Sequence, residues 1–260
     1  MIFEFVRVNC KIPCAGNAAN LANHMIRIID CYLNFLKPKF TDQEEIEIPS
    51  DMEEKLYNSL VFAAIWGVGG TIDELTRQKF DTFLMDLLAG VEDVRVKYEL
   101  DMGPGADEKY PLTKIPHKLP GEIKSLFELY YNQEDMKWEN WWNTVPHYTI
   151  DKEASYLQLA IPTIDSIRMQ QICETLLKVS KHVLFVGPTG TGKSIQVNML
   201  LKDKFDNEQW AYYLLGFSAQ TTANQTERII DGSMDKRRKG VFGPKLGKEG
   251  VIFVDDLNMP

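Results

Sequence analysis

HVLFVGPTGTGKS, residues 182–194, joins a short apolar run to a glycine-rich loop ending in Lys193-Ser194. The run His182–Val186 reads as a buried parallel strand. Gly187-Pro188-Thr189-Gly190-Thr191-Gly192-Lys193-Ser194 then fits G-x-x-x-x-G-K-[ST], placed between that strand and a helical stretch, as the pattern requires. The spacing has a physical basis. Glycines let the loop wrap closely enough for backbone N–H groups to surround α- and β-phosphates, and the following helix aims its positive end at them. Lys193 is placed to reach the β/γ-phosphates. Ser194 offers a hydroxyl to Mg²⁺, a hard cation that prefers oxygen ligands. The expected cofactors are ATP or ADP with Mg²⁺.

Downstream, AYYLLGF (Ala211–Phe217) and VIFV (Val251–Val254) are two more apolar runs of strand length. The second sets Asp255 and Asp256 at the carboxyl end of a strand, a Walker B arrangement. Ligands of open α/β sheets gather outside those ends, so the loop and the acidic pair are expected to share one crevice. Asp255 is the Mg²⁺-side carboxylate. Asp256 stands where many P-loop ATPases carry a glutamate that polarises the attacking water. Its side chain is shorter by one methylene, about 1.5 Å of reach, and near-attack geometry tolerates little displacement. The cluster DKRRKG (Asp235–Gly240) could contact phosphate, acidic protein or nucleic acid, but reads first as a solvated helix end.

Upstream of residue 95 the texture is helical. Leu21, Met25, Ile28, Ile29, Tyr32 and Phe35 recur at helical spacing before a stop at Pro38. A second helix is expected from a Ser50/Glu53 capping box, through Leu56 and Leu60, to a break at Gly67, Gly69 and Gly70. A third, from a Thr71/Glu74 box, presents Leu75, Phe83, Leu84, Leu87 and Leu88 and ends at Gly90. Between Glu99 and Ile150, Gly103, Pro104, Gly105, Pro111, Pro116, Pro120 and Gly121 mark a connector. Within it Leu126–Tyr131 and Lys137–Trp142 flank a polar NQED turn and predict a β-hairpin. Trp138, Trp141 and Trp142 could bind a ligand by stacking, but are expected rather to cover an inter-domain seam.

The 260 residues carry 29 Lys+Arg against 37 Asp+Glu, a net charge of −8. That balance disfavours nucleic acid and anionic membrane as partners. The uncharged stretch Asn58–Thr71 is too short for the roughly 20 apolar residues of a membrane span. Glu4, Arg7 and Lys11 interrupt any signal-like apolar run. Four cysteines suit a reducing compartment. Cys10, Cys14 and His24 lack a fourth zinc ligand at finger spacing, and buried free thiols are expected instead. Because Pro260 follows a buried strand so closely, further strands are expected and the chain reads as a fragment.

The strings LFVGPTGTGKS, FSAQTTANQT, KRRKGVFGPKLGK and VIFVDDLNMP together resemble the third AAA+ module of axonemal dynein heavy chains. IPTIDSIR (Ile161–Arg168) is similar to that module's N-terminal loop. The resemblance therefore implies that Ile161, Pro162 and Thr163 border the adenine. Val61–Leu84 is similar to the helical lid of the preceding module. The fold implied is α/β, a P-loop AAA+ doubly wound parallel sheet incomplete at its C-terminus. It is divided as 1–98 lid, 99–154 connector with hairpin and 155–260 nucleotide-binding part.

The resemblance implies a regulatory nucleotide site in a motor ATPase. Its partners would be other AAA+ modules of the same chain, dynein intermediate and light chains, and microtubules through regions outside these residues. The implied location is cytoplasmic, in the cytoskeleton of the axoneme of cilia and flagella. Where cytoplasmic relatives show Asp-Glu, this sequence has Asp255-Asp256, which implies slow hydrolysis with binding intact. Two rival readings are a free-standing P-loop remodeller of protein or nucleic acid, and a non-catalytic module that nucleotide merely stiffens.

Overall fold

Helical periodicity in the N-terminal half and apolar runs in the C-terminal third separate into two compact units, Met1–Ile167 and Arg168–Pro260. The structure is a computed structural model that describes residues 1–14, 16–33, 50–90, 94–101, 103, 123–132, 135–146 and 161–258. The expected positions of Phe35, Pro38, Glu134, Pro260 and most of the connector's prolines and glycines lie outside the described residues.

The first unit is built from α1 (Ile2–Asn9), α2 (Ala18–Leu33), α3 (Met52–Ala63), α4 (Glu74–Ala89) and the short α5 (Val94–Lys97). Its core joins Phe5, Leu21, Val61, Ile65, Val68, Phe80, Phe83 and Leu84. Phe5 stacks on Phe83 with ring centroids 4.0 Å apart. On α4, Phe80, Phe83 and Leu84 are buried at i, i+3 and i+4. Leu75, in the first turn, is 88% exposed and takes no part in that face. On α3 the buried face runs through Asn58, Ser59, Val61 and Phe62, which leaves Leu56 and Leu60 outside it.

Both expected capping boxes give way to a neighbouring aspartate. The N-cap of α3 is Asp51, without a side-chain cap bond, so Ser50 and Glu53 form no box. At α4 the N-cap is Asp73, whose carboxylate accepts the Thr76 N–H at 3.0 Å. Thr71 instead donates to the Val68 carbonyl. Gly90 does end α4, at φ 65.

The expected glycine break is no break. Helix α3 continues as a π-turn over Ala64–Val68 and a 3₁₀ turn over Gly69–Thr71. Gly67 permits close approach: a Cβ there would lie 2.8 Å from the Met25 Cα of α2.

The hairpin forms as β1 (Leu129–Asn132) and β2 (Lys137–Asn140), antiparallel, with Tyr131 opposite Trp138. Its outer ends, Leu126–Glu128 and Trp141–Thr144, are 3₁₀ turns rather than strand. Trp138 donates to the Asn58 side chain at 3.0 Å, and buried Trp141 meets Trp66 edge to face. Both tryptophans thus pack within the first unit, while Trp142 is exposed. The hairpin's aromatic face is covered by α2 and α3 through Tyr32, Phe62 and Asn58.

The helix α6 (Ile164–Lys178) precedes the second unit's α7 (Lys193–Lys204), β3 (Trp210–Gly216), α8 (Ala223–Ser233), β4 (Asp235–Arg238), β5 (Val241–Gly243) and β6 (Glu249–Asp255). Strands β3 and β6 pair in parallel, Trp210 opposite Glu249 through Gly216 opposite Asp255. Cys173, Val197, Leu200, Leu201, Phe205 and Val251 form the core beneath them.

The expected strand His182–Val186 enters no ladder among the described residues. Its side chains are nonetheless sorted as in a strand. Val183 and Phe185 pack on the core, while Leu184 and Val186 are 70% and 58% exposed. Alternation fixes which face each residue buries, but a strand also needs a hydrogen-bonding neighbour, and none lies beside this run among the described residues. The basic cluster is corrected too: Asp235–Arg238 is a strand of a two-stranded antiparallel ribbon, not a helix end.

Candidate nucleotide site

The loop after Phe185 can turn as it does because Gly190 and Gly192 take φ 82 and 81, a region that side chains disfavour. No heavy atom lies within 4 Å of a Cβ built at either position, so conformation rather than space calls for glycine. Gly192 is the N-cap of α7 and has no side-chain cap bond. The first N–H groups of the helix are thereby left for a ligand, at the positive end of its dipole.

Lys193 opens α7 and folds back on the loop. Its ammonium donates to the Gly187 carbonyl at 2.9 Å, the Pro188 carbonyl at 2.6 Å and Thr191 Oγ1 at 3.2 Å. Thr191 Oγ1 also donates to the Pro188 carbonyl at 3.0 Å. These acceptors are neutral, and a phosphate oxygen makes a stronger, charge-assisted partner for the same ammonium.

Ser194 Oγ donates to Asp255 Oδ1 at 2.8 Å. Asp255 is the last residue of β6, and its carbonyl accepts the Phe217 N–H at 3.0 Å, which ties the ends of β3 and β6 together. On α7's other flank, Gln170 donates to Gln196 at 2.8 Å and braces α6 against it. The hydroxyl, the carboxylate and the loop's open N–H groups are hard-oxygen and anion-binding chemistry, so the residues present fit Mg²⁺ and a polyphosphate.

Asp256 follows in a left-handed conformation, φ 53, and its N–H donates to Asp255 Oδ1 at 3.0 Å. Its exposed carboxylate makes no hydrogen bond to Lys193 or Ser194. Ile161, Pro162 and Thr163 precede α6. There Thr163 and Ser166 cap the helix reciprocally, Ser166 Oγ accepting the Thr163 N–H at 2.8 Å. Ile161 is exposed.

Sequence reasoning passed over the Gln170–Gln196 brace and the Thr222/Gln225 capping box that starts α8. The T-x-x-Q spacing was the available signal for the box. The brace joins two separate helices and has no local signal.

Among the described residues no group of three or more His, Cys, Asp and Glu side chains is arranged to hold a metal. Cys10 is half-buried and Cys14, in the loop between α1 and α2, is exposed, so the expectation of buried thiols fails at Cys14. Cys173 is buried, and that burial pushes its thiol up to about 12. No helix among the described residues is long and apolar enough to cross a membrane.

Residues 1–143 match the family described as dynein heavy chain AAA lid domain, and residues 148–260 match P-loop containing dynein motor region. Among curated relatives, human dynein axonemal heavy chain 3 is 34% identical over 99% of this chain, which covers 6% of that protein. Mouse dynein axonemal heavy chain 1 is likewise 34% identical over 99% of the chain and 6% of its own length. Mouse dynein axonemal heavy chain 12 is 31% identical over 98% of the chain and 8% of its own length. The chain thus spans well under a tenth of these relatives, with a lid followed by a P-loop motor region along nearly all of it, and it belongs to the axonemal type of the dynein heavy chain family.

Proposed function

We propose that residues 155–260 form a regulatory Mg-nucleotide site of an axonemal dynein motor, with residues 1–98 as the preceding module's lid and 99–154 as the connector. The observation that carries this reading is the 2.8 Å hydrogen bond from Ser194 to Asp255, which joins the phosphate loop to the strand end. In this reading Gly187–Gly192 cradles the phosphates by backbone N–H groups, and Lys193 leaves its loop carbonyls for the β/γ-phosphates. Ser194 and Asp255 hold Mg²⁺, and Ile161, Pro162 and Thr163 border the adenine. When bound, Mg²⁺ neutralises charge on the phosphates. Asp256 accepts a proton from the attacking water over a longer reach than a glutamate needs, so hydrolysis is slow and the site chiefly holds nucleotide. The location is the ciliary or flagellar axoneme. The partners are neighbouring AAA+ modules, dynein intermediate and light chains, and, through other regions, microtubules.

Calorimetry with Mg-ATP and Mg-ADP on the full heavy chain and its Lys193→Ala form tests the reading, with the binding isotherm for this module lost in the variant. Unchanged affinity after that substitution would show that this loop does not cradle phosphate.

A further inference from the structure

From Lys236 to Lys248 the chain carries six cations, Lys236, Arg237, Arg238, Lys239, Lys245 and Lys248, and no acid, in a protein of net charge −8. The structure mounts them on and beside the β4–β5 ribbon, which has no third strand among the described residues. Every residue of β4 is exposed, as are Val241 and Phe242 of β5, so both faces of the ribbon meet solvent.

Two of the cations hold the fold. Arg237 sits at the irregularity between Lys236 and Arg238 and donates to the Pro244 carbonyl, and Lys248 donates to the Asn207 carbonyl at 2.6 Å. Lys236, Arg238, Lys239 and Lys245 pair with no carboxylate among the described residues. The register sets Lys236 opposite Phe242 and Arg238 opposite Val241. Two of the three rungs therefore present one cation and one apolar side chain, the third being Asp235 opposite Gly243, beside edges whose ladder groups have no neighbouring strand among the described residues.

We propose that this ribbon docks an extended acidic protein segment, paired along an open edge and alternating carboxylates with apolar side chains. Edge pairing supplies main-chain hydrogen bonds, and alternate side chains supply selectivity. The patch is only a few residues long, and the chain outside it is more acidic than the whole. A long polyanion such as nucleic acid, or an anionic membrane, meets repulsion once it extends past the ribbon. An eight-residue strand, about 26 Å long, overhangs each end of the 4-residue β4 by about 7 Å, inside one Debye length of roughly 8 Å at physiological salt.

The test is fluorescence anisotropy on the full heavy chain with an eight-residue peptide alternating Glu with Phe and Val. Labelled oligothymidine and phosphatidylserine vesicles serve as the competing classes. The peptide should bind, with its β4 and β5 partner amides gaining protection from hydrogen exchange. Lys236→Gln, Arg238→Gln and Lys239→Gln combined should weaken it at least tenfold. Lys236→Arg with Lys239→Arg should retain binding, and Mg-nucleotide affinity, unchanged in all forms, reports intact folding. Peptide affinity indifferent to the triple substitution overturns the proposal. So does binding without added amide protection, or tighter retention of oligothymidine or vesicles than of peptide through the same residues.

Discussion

Ser194 Oγ and Asp255 Oδ1 stand 2.8 Å apart although 61 residues separate them in sequence. The two groups assigned to Mg²⁺ are therefore neighbours before any ligand is considered. Removing either should weaken Mg-nucleotide binding by about tenfold to a hundredfold, the range of about 1.5–3 kcal/mol for a charged hydrogen bond. Titrations of Ser194→Ala and Asp255→Asn with and without a chelator check this. An Asp255→Asn protein that retains Mg²⁺ like the parent refutes the metal assignment.

Asp256 combines a short side chain with a left-handed backbone at φ 53. Aspartate tolerates that region better than most side chains. Asp256→Glu should raise single-turnover hydrolysis with little change in nucleotide affinity, at a cost of about 1 kcal/mol in stability. Rapid-quench kinetics beside urea unfolding separates the two effects. Slower turnover in the glutamate form would refute the reach argument.

Gly67 faces backbone, not a yielding side chain. A Cβ there would lie 2.8 Å from the Met25 Cα and 2.9 Å from its nitrogen, so α2 and the π-turn must part. Gly67→Ala should destabilise the first unit by about 1–3 kcal/mol. Thermal unfolding followed by tryptophan fluorescence measures it, and an unchanged midpoint would mean that α2 does not approach so closely.

Asp81 is a buried carboxylate whose Oδ1 accepts the Leu126 N–H at 2.9 Å. Burial raises its folded-state value, partly offset by hydrogen bonds from the Leu126 backbone and the Ser125 side chain. Raised in the folded state, the group favours folding most at pH below the ordinary aspartate range. That contribution falls as pH climbs from there through the raised value. Asp81→Asn keeps the acceptor and should flatten this decline. Asp81→Ala strands the Leu126 N–H and should cost about 1–3 kcal/mol at neutral pH. Denaturant midpoints across the acid range distinguish the two, and equal stability of both variants at neutral pH would deny the hydrogen bond its weight.

What was legible in the sequence is what local chemistry dictates. The loop Gly187–Ser194 combines residue types that phosphate binding requires at fixed spacing, and Gly90 ends α4 because a left-handed C-cap favours glycine. Choices settled by distant residues were not legible. Gly67 takes its role from Met25 on another helix, and Trp138 finds Asn58 across 80 residues. The N-caps were misassigned because Asp51 and Asp73 sit beside equally plausible Ser50 and Thr71. A run of cations reads alike on a helix end and on a ribbon. Hydrogen-bond register, which tells them apart, belongs to the pair of strands and not to either one.

Among the described residues, the run His182–Val186 keeps a strand's two-sided order of side chains without a ladder. Side-chain packing is therefore set here without a ladder partner from the described residues. Its backbone N–H and C=O groups thus remain available to strands that the described residues do not supply. Isotope uptake at Leu184 and Val186, measured on the full heavy chain, reports whether a strand from elsewhere in that chain pairs with the run that carries the phosphate loop.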